Sequence, residues 1–153
     1  MYEFLQYHVR DAMTVDPIAI SPKAKLHEAE DLFEIHDFNG VPVVNDQRQL
    51  LGMLTKFDLL KAFRFDSHTL VPHYNAIMEQ LVETVMTCDP VAVSPQLPLS
   101  RLLQKLVEMR TKSLPVIEEG NLLIGIISRQ DVLKALRRST VQREILTPRD
   151  RAS

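Results

Sequence analysis

The sequence has few of the residues that build disulfides, metal centres and phosphate-binding loops. Its one cysteine, Cys88, excludes an internal disulfide and a cysteine-rich metal site. With four glycines in 153 residues, it contains neither a P-loop nor a dinucleotide-binding fingerprint. No nucleophile elbow or zinc-protease motif occurs either. We therefore expect a protein that is not an enzyme and that holds no metal.

Long apolar runs and a strong charge of one sign are also lacking. No stretch approaches the ~18 apolar residues of a membrane span, and no hydrophobic segment typical of a signal peptide follows the N-terminus. The formal net charge is −2, which does not favour binding of the whole molecule to nucleic acid. These absences predict a cytoplasmic protein with neither a membrane nor a nucleic-acid partner.

The most informative feature that is present is an internal repeat. Residues 9–63 align with residues 82–136 without a gap, and 17 of the 55 aligned pairs are identical. The identities form matched motifs: Met-Thr-x-Asp-Pro, then Ser-Pro, then Pro-Val, and finally Gly, Asp and Leu-Lys-Ala. A single register kept over this length indicates the duplication of one folding unit.

Each copy is predicted to fold as strand–helix–strand–strand–helix, which is an α/β (α+β) unit. A β-branched run closed by Ser-Pro predicts the first strand, at Pro17–Ile20 and again at Pro90–Val93. Apolar residues at helical spacing predict the next helix, most clearly over Leu99–Val107. Two short strands joined by a turn follow. The last helix is expected over about Lys56–Phe63 in the first copy and Arg129–Arg137 in the second.

This pattern divides the chain into five segments. They are a lead-in of residues 1–8, a first motif of residues 9–63, a linker of residues 64–81, a second motif of residues 82–136 and a basic C-terminal tail of residues 137–153. Because a unit of ~55 residues buries little surface by itself, we expect the two copies to pack through their sheets with pseudo-two-fold symmetry. Residues 75–85, at the end of the linker and the start of the second motif, are predicted to form a helix that enters the second copy.

The ordered motifs resemble the CBS (cystathionine β-synthase) domain. The resemblance rests on Met-Thr-x-Asp-Pro, Ser-Pro, an amphipathic helix, a hydrophobic-Pro-hydrophobic strand and Ser/Thr-x-x-Asp, each found twice in this order. It implies a tandem pair of CBS motifs, called a Bateman module, here as a stand-alone CBS-domain protein. Such pairs commonly bind adenosine-containing ligands in clefts between the two copies, act as regulatory sensors and often form dimers.

Two aspartates have the clearest local pattern among the candidate ligand-binding residues. Asp58 follows Thr55 by three residues, and Asp131 follows Ser128 by three residues, at the predicted start of the last helix. This spacing alone is typical of a capping box, in which the hydroxyl and the carboxylate each accept a hydrogen bond from a backbone N–H. By the resemblance, the carboxylate would accept hydrogen bonds from the ribose hydroxyls, as an ionised aspartate can. The two roles are compatible, and both stay open.

The resemblance also implies two sets of nucleotide-binding residues. In each set, the Ser/Thr-x-x-Asp motif of one copy faces the first strand of the other copy. The first set comprises Phe38, Asn39, Gly40, Val41, Thr55, Lys56 and Asp58 together with Asp89, Val91 and Ser94. The second set comprises Thr111, Lys112, Ser113, Leu114, Ser128, Arg129 and Asp131 together with Asp16, Ile18 and Ser21. For each apolar member, ordinary strand core is the competing interpretation.

Charge distinguishes the two sets. Lys56 and Arg129 occupy matching positions at helix starts, where a cation gains nothing from the helix dipole, so each is a candidate for phosphate binding. Lys112 adds a cation to the second set, which makes that set the better candidate for a charged nucleotide. In the first set, Phe38 would either stack on an adenine or fill the pocket.

We therefore expect a regulatory ligand-sensing module that binds AMP, ADP, ATP or S-adenosylmethionine. No cofactor is required, and an adenine nucleotide or S-adenosylmethionine is the candidate bound ligand. The expected partners are this small adenosyl ligand, a second copy of the chain in a homodimer, and a regulated protein that the sequence does not identify. The alternative is a scaffold that dimerises through its helices and binds no nucleotide.

Overall fold

A computed structural model describes residues 3–64 and 73–146, and it divides the chain into two compact units. Unit 1 consists of Met1–Asp16, Ala92–Glu118 and Ile124–Ser153, and unit 2 consists of Pro17–Val91 and Glu119–Leu123. Each unit therefore contains most of one sequence copy, together with the segment that leads into the other copy.

The described residues form six helices and six strands, with short 3-10 turns at Phe4–Gln6 and Val82–Thr84. In chain order the helices and strands are α1 (Val9–Ala12), β1 (Thr14–Val15), α2 (Leu26–His36), β2 (Gly40–Val44), β3 (Leu50–Thr55), α3 (Lys56–Lys61), α4 (Tyr74–Met78), β4 (Thr87–Cys88), α5 (Leu99–Met109), β5 (Ser113–Glu118), β6 (Leu122–Ser128) and α6 (Arg129–Leu146). The mixed helix-and-sheet fold predicted from the repeats is confirmed.

Unit 2 contains a three-stranded antiparallel sheet with β3 in the middle. β2 pairs along one edge of β3, with Val41 opposite Leu54, and β4 pairs along the other edge, with Thr87 opposite Met53. The turn between β2 and β3 is closed by Asn45, whose Oδ1 accepts hydrogen bonds from two backbone N–H groups further along the turn. Such an asparagine turn needs no glycine.

The core of unit 2 lies between this sheet and its helices. Leu26, Ala29 and Phe33 lie on one face of α2 and are 0–4% exposed, since they recur at the spacing that brings side chains to one side of a helix. Val41 and Val43 of β2 face the same core. Further buried apolar contributions come from Ile20, Leu54, Met78 and Val82.

Unit 1 repeats this architecture with β6 in the middle of its sheet. β1 pairs antiparallel with β6, with Thr14 opposite Ile126, and β5 lies along the other edge. Leu99, Leu102 and Leu106 form the buried face of α5. Phe4 and Val9, from the start of the chain, are 1% and 0% exposed and complete the same core.

Three pairs of residues at matching positions of the two copies have a positive φ, which L-residues rarely adopt. Asp16 and Asp89 precede a proline, Asp37 and Arg110 end the amphipathic helix, and Arg48 and Asn121 close the hairpin. All six have φ between 46° and 63°. The duplication therefore extends to the backbone conformation.

The first strand of each copy differs from the prediction. Residues 17–20 and 90–93 make single parallel bridges at Ile20 and Val93, and the short regular strands are β1 and β4, which lie just before them. The physical reason is the left-handed Asp16 and Asp89, which turn the chain before each proline and end the extended run. In addition, β1 and β4 pair with the third strand of the opposite copy.

The segments outside the repeats also differ from expectation. The helix predicted over residues 75–85 is split into α4 and the 3-10 turn at Val82–Thr84, and both pack in unit 2. α6 continues to Leu146, beyond the predicted Arg137, because no glycine or proline interrupts the sequence before Pro148. Residues 65–72 of the predicted linker and residues 147–153 of the predicted tail lie outside the described residues.

Candidate functional site

Both copies place an aspartate in the first turn of their last helix, where it completes a cap. In unit 2, Thr55 Oγ1 accepts a hydrogen bond from the Asp58 N–H at 3.1 Å, and Asp58 Oδ2 accepts one from the Thr55 N–H at 3.0 Å. In unit 1, Ser128 and Asp131 make the same two bonds at 3.3 and 2.9 Å. Both motifs are capping boxes, which satisfy N–H groups that a helix start leaves without partners.

The Asp58 carboxylate is enclosed by other side chains of unit 2. The residue is 3% exposed. Lys61 Nζ lies 3.1 Å from its Oδ1, and the Thr87 hydroxyl lies 3.3 and 3.4 Å from its two carboxylate oxygens as a donor. Lys61 comes from the next turn of α3, whereas Thr87 comes from β4 across the sheet. A ligand hydroxyl would therefore compete with an ammonium group and a hydroxyl for Asp58.

The Asp131 carboxylate has a different environment. Its Oδ2 accepts hydrogen bonds from the Ser128 N–H at 2.9 Å and from the Ser128 hydroxyl at 3.0 Å. Its Oδ1 takes part in none of the hydrogen bonds or ion pairs recorded for the described residues, and the matching Thr14 and Lys134 do not reach it as Thr87 and Lys61 reach Asp58. One oxygen of this half-buried carboxylate is therefore available to an additional donor.

Backbone hydrogen bonds join each helix start to the segment before the preceding hairpin. The Lys56 N–H donates to the Asn39 carbonyl, and the Arg129 N–H donates to the Lys112 carbonyl, both at 3.0 Å. In unit 1, Arg129 Nε also donates to the Thr111 carbonyl at 2.9 Å. This bond fixes the exposed guanidinium beside the start of β5 and leaves its terminal N–H groups able to donate. We call the group the Asp131 cluster: Thr111, Lys112, Ser128, Arg129 and Asp131.

Phe38 and Thr111 occupy the same position in the two copies but make different contacts. The Phe38 ring stacks on His36, with ring centroids 5.0 Å apart and planes inclined by 15°, and it packs against the core of unit 2. The Thr111 hydroxyl instead donates to the Ser113 carbonyl at 3.2 Å. The bulky ring therefore stands in unit 2 at the position where unit 1 has a small polar side chain.

The apolar residues in the two predicted sets divide by exposure. Val41 and Leu114 are 0% and 3% exposed, so their side chains belong to the cores. Ile18 and Val91 are 40% and 48% exposed. The competing interpretation of ordinary strand core therefore holds for the first pair and does not hold for the second. The exposed pair is able to contact a ligand through side chains.

Each of the two predicted sets contains residues from both units. Asp89 and Val91 lie in unit 2 with Asp58, and Asp16 lies in unit 1 with Asp131, as the sets require. By contrast, the remaining members belong to the unit opposite to the aspartate of their set; they are Ser94 in unit 1, and Ile18 and Ser21 in unit 2.

The remaining polar members have local structural roles. Ser21 Oγ accepts a hydrogen bond from the Lys23 N–H at 3.1 Å, and Ser94 Oγ accepts one from the Gln96 N–H at 3.2 Å. These hydroxyl turns match the Ser-Pro motif in both copies. Gly40 opens β2, and a Cβ built there would lie 3.3 Å from Thr55 Cγ2, so the glycine allows a close approach to the α3 cap.

Sequence analysis missed the two side chains that engage Asp58. Lys61 is three residues further along the same helix, a spacing at which side chains meet, so this contact could have been predicted. Thr87 is brought in by the pairing of β4 with β3, which joins residues far apart in the sequence. The sequence signals the role of Thr87 only indirectly, because the residue belongs to a Met-Thr pair that both copies share.

Two features of the described residues bear on metal binding and on membrane insertion. No group of three or more histidine, cysteine, aspartate or glutamate side chains is placed to hold a metal ion within that part of the chain. Within the same residues, every helix is too short or too polar to span a membrane.

Both copies match the model of one known protein family. A model of the CBS domain matches residues 9–64 and again residues 82–138. This chain belongs to the CBS domain family. The resemblance inferred from the repeated motifs is confirmed, and the two matches correspond to the two copies.

Two solved structures share the fold of this CBS pair. CBSX2, crystallised in complex with AMP, is 25% identical with a TM-score of 0.75, and the match covers 88% of this chain and 98% of that chain. The protein MJ1225 from Methanocaldococcus jannaschii is 26% identical with a TM-score of 0.79, and the match covers 85% of this chain and 48% of that chain.

The curated relatives are longer proteins. YtoI of Bacillus subtilis is 37% identical over 120 residues, which make up 78% of this chain and 24% of YtoI. The matched part amounts to 42% of MJ1225 in the sequence comparison. The CBS pair described here thus spans less than half the length of these relatives.

Proposed function

We propose that this CBS pair is a regulatory module that binds an adenine nucleotide at the Asp131 cluster. The observation that carries the proposal is the available Oδ1 of Asp131, because an ionised carboxylate is the acceptor that a ribose hydroxyl needs. CBSX2, which is similar over nearly its whole length, was crystallised with AMP, and this supports the ligand class.

The charges of the cluster favour a ligand that carries phosphate. Arg129 is exposed and held at its Nε by the Thr111 carbonyl, so its terminal N–H groups can donate to an anion in a fixed direction. Lys112 is the neighbouring cation in the sequence. The matched positions in unit 2 hold Phe38, Asn39 and Lys56, with less positive charge. We therefore propose AMP, ADP or ATP ahead of the neutral nucleoside.

Asp58 has a structural role in this proposal. Its oxygens are already engaged by Thr55, Lys61 and Thr87, and it is almost fully buried. Displacing these groups would leave a buried carboxylate to be satisfied by the ligand alone, which is costly. We therefore expect one nucleotide per chain, bound at the Asp131 cluster.

The matched pair of aspartates provides the test, by titration calorimetry of ligand-free protein with AMP, ADP, ATP, adenosine and S-adenosylmethionine. Asp131→Asn should weaken nucleotide binding by ~2–3 kcal/mol, or about 30- to 150-fold in Kd, because hydrogen bonds to a charged acceptor are lost. Asp58→Asn should leave the Kd unchanged and lower the free energy of unfolding by about 1 kcal/mol, the value of a helix cap.

Three results would contradict the proposal in different ways. The absence of heat with every ligand would reject nucleotide binding. Equal loss of affinity in both variants, with two nucleotides per chain, would show two equivalent sites. Tighter binding of adenosine or S-adenosylmethionine than of AMP would reject the phosphate preference.

A regulatory role adds one physical requirement. The ligand must bind two arrangements of the protein unequally, since equal affinity shifts no equilibrium. The small share of each curated relative that the CBS pair matches supports a module that acts on another domain or protein. We expect AMP to be recovered chemically unchanged after incubation, while hydrogen exchange slows at residues 111–113 and 128–131. Turnover of the nucleotide would instead indicate an enzyme.

A further inference from the structure

Unit 1 has an open groove between α5 and α6, with a volume of about 320 Å³. Among the described residues, its lining consists of six leucine and valine side chains and two arginines, Arg110 and Arg129. Val107 and Leu133, which line it, are 69% and 54% exposed, so apolar surface in the groove is open to solvent. Apolar walls with a few polar groups, around a volume of this size, are typical of a small-molecule site. We call it the α5–α6 groove.

The two arginines lie at the same end of the α5–α6 groove. Arg110 is the C-cap of α5, and Arg129 is the first residue of α6. Arg129 Nε donates to the carbonyl of Thr111, the residue that follows Arg110, so the start of α6 lies beside the end of α5. The groove therefore has one positively charged end.

The apolar walls lead away from this charged end. In α5, Leu103 precedes Arg110 by seven residues, and in α6, Leu136 follows Arg129 by seven residues. Seven residues are about two helical turns, which keep the side chains on one face and extend each wall by about 10 Å. A groove of this form fits a ligand with an anionic head and a short hydrocarbon tail.

The arginines have N–H groups to spare for such a head. The ion pairs recorded for the described residues include neither Arg110 nor Arg129. Arg129 is held at its Nε, which leaves its terminal N–H groups able to donate. A guanidinium presents parallel N–H groups that match the two oxygens of a carboxylate. A carboxylate head would therefore be recognised by shape as well as by charge.

Unit 2 lacks these features at the matching positions. Three positions along the α5 side of the groove hold acids in α2 or at its end: Leu103, Val107 and Arg110 correspond in the repeat to Glu30, Glu34 and Asp37, respectively. Acids at these positions would repel an anionic head and remove the apolar contacts of a tail. An anion with a hydrocarbon tail is therefore expected in unit 1 and not in unit 2.

We propose that the α5–α6 groove binds the anion of a medium-chain fatty acid. The carboxylate lies between Arg110 and Arg129, and the hydrocarbon tail runs toward Leu103 and Leu136. Binding removes exposed apolar side chains from water, and the arginine pair fixes the direction of the chain. It does not require a nucleotide at the Asp131 cluster, although Arg129 belongs to both sites.

The repeat supplies substitutions that the fold already accommodates. Arg110→Asp removes the charged end, and it should keep the C-cap of α5, because Asp37 caps α2 with a φ of 53° against 54° for Arg110. Val107→Glu places in the exposed wall the residue type that Glu34 has in α2. Arg101→Asp is the charge-matched control, since Arg101 is exposed on α5 and does not line the groove.

NMR titration of the full, nucleotide-free chain, labelled at its leucine and valine methyl groups, measures the binding of octanoate. Butanoate has the same head and four fewer methylenes, and 1-octanol has a tail of the same length without the charge. A fully buried methylene contributes about fourfold in affinity, and roughly half of that is expected in an open groove, so octanoate should bind ~10- to 20-fold more tightly than butanoate. The methyl shifts should be largest at Leu103, Val107, Leu133 and Leu136.

The charged head gives a second set of expected results. The wild type should bind 1-octanol ~10-fold or more weakly than octanoate, because charge-assisted hydrogen bonds are absent. Arg110→Asp and Val107→Glu should each weaken octanoate binding by ~10-fold or more, whereas Arg101→Asp should stay within about twofold of the wild type. Circular dichroism checks that all three variants are folded.

The contrary results are distinct. No saturable shift with octanoate would overturn the fatty-acid site and leave the nucleotide proposal, which Asp131→Asn tests separately, unaffected. Equal affinity for octanoate and 1-octanol would show that the arginines do not hold the head, and equal affinity for octanoate and butanoate would show that the tail is not in the groove. An equal loss in Arg101→Asp and Arg110→Asp would reduce the effect to general attraction by positive charge. The comparison of ligands on the wild type decides the matter even if a variant does not fold.

Discussion

Gly52 and Gly125 occupy matching positions where two strands approach closely. A Cβ built on Gly52 would lie 2.6 Å from the Thr87 carbonyl oxygen, and one built on Gly125 would lie 2.9 Å from the Thr14 carbonyl oxygen. Real Cβ atoms do not come this near to a backbone oxygen, so β4 and β1 would have to move away. In unit 2 the same close approach brings the Thr87 hydroxyl to Asp58.

We predict that Gly52→Ala lowers the free energy of unfolding by about 1–3 kcal/mol, the usual range for an overpacked site. Gly40→Ala is the control, because a Cβ there would lie 3.3 Å from a methyl group and 3.4 Å from the nearest backbone oxygen, and the latter is an ordinary contact distance. Urea unfolding of both variants measures the difference. Equal losses would show that the approach of β4 to β3 is not what requires glycine.

At the scale of elements, an ion pair links the start of α2 to the end of α4. Lys25 Nζ lies 2.5 Å from Glu79 Oε2, and Lys25 is also the N-cap of α2. The hydrogen bond with Glu79 raises the pKa of Lys25 above its ordinary 10.5, and the same bond lowers the pKa of Glu79 below its ordinary 4.5; Coulombic attraction adds to both shifts. Both groups are at the surface, so the pair is a small contributor.

The directions of these shifts predict a pH window for the pair. Its stabilisation should be lost as the pH falls through the lowered pKa of Glu79, and lost again as the pH rises through the raised pKa of Lys25. Glu79→Gln should therefore lower the melting temperature slightly at pH 7, and much less below the lowered pKa of Glu79 or in 1 M salt. A deficit that stays the same across an acid titration from pH 7 and in 1 M salt would show that the loss is not electrostatic.

At the scale of the whole molecule, the start of the chain completes a core built by the second half of the sequence. Phe4 is 1% exposed in the core of unit 1, beside residues of α5, β5 and α6. The 3-10 turn that carries it lies about a hundred residues before those elements in the sequence. Neither sequence copy therefore supplies its unit's core alone.

We predict that Phe4→Ala destabilises unit 1 by about 3–5 kcal/mol, the cost of truncating a buried phenylalanine. The neighbouring Leu5→Ala is a matched control, since Leu5 is 60% exposed. Hydrogen exchange should show faster exchange of the β5 and β6 amides in Phe4→Ala. If these amides were as protected as in Leu5→Ala, the lead-in would not belong to that core.

Features that depend on near neighbours in the chain were predictable. The Thr55–Asp58 and Ser128–Asp131 caps follow from a three-residue spacing, and the stripe of α5 follows from its leucines. The exchange of β1 and β4 between copies was not predictable, because two-residue strands carry almost no pattern and their pairing is set by partners distant in the sequence. The same holds for the different environments of Asp58 and Asp131, although their motifs match.

The amino-acid sequence by itself determined the duplication, the order of the elements and the membership of the CBS family, since all three are written in repeated local motifs. Within the described part of the chain, the tertiary structure alone decided which of the two aspartates keeps an oxygen without a partner. Lys61 and Thr87 reach the Asp58 carboxylate, whereas their counterparts Lys134 and Thr14 do not reach the Asp131 carboxylate. The Thr87 contact joins a strand to the helix, the Lys61 contact lies within the helix, and identical residues at matched positions make both contacts in one unit and neither in the other.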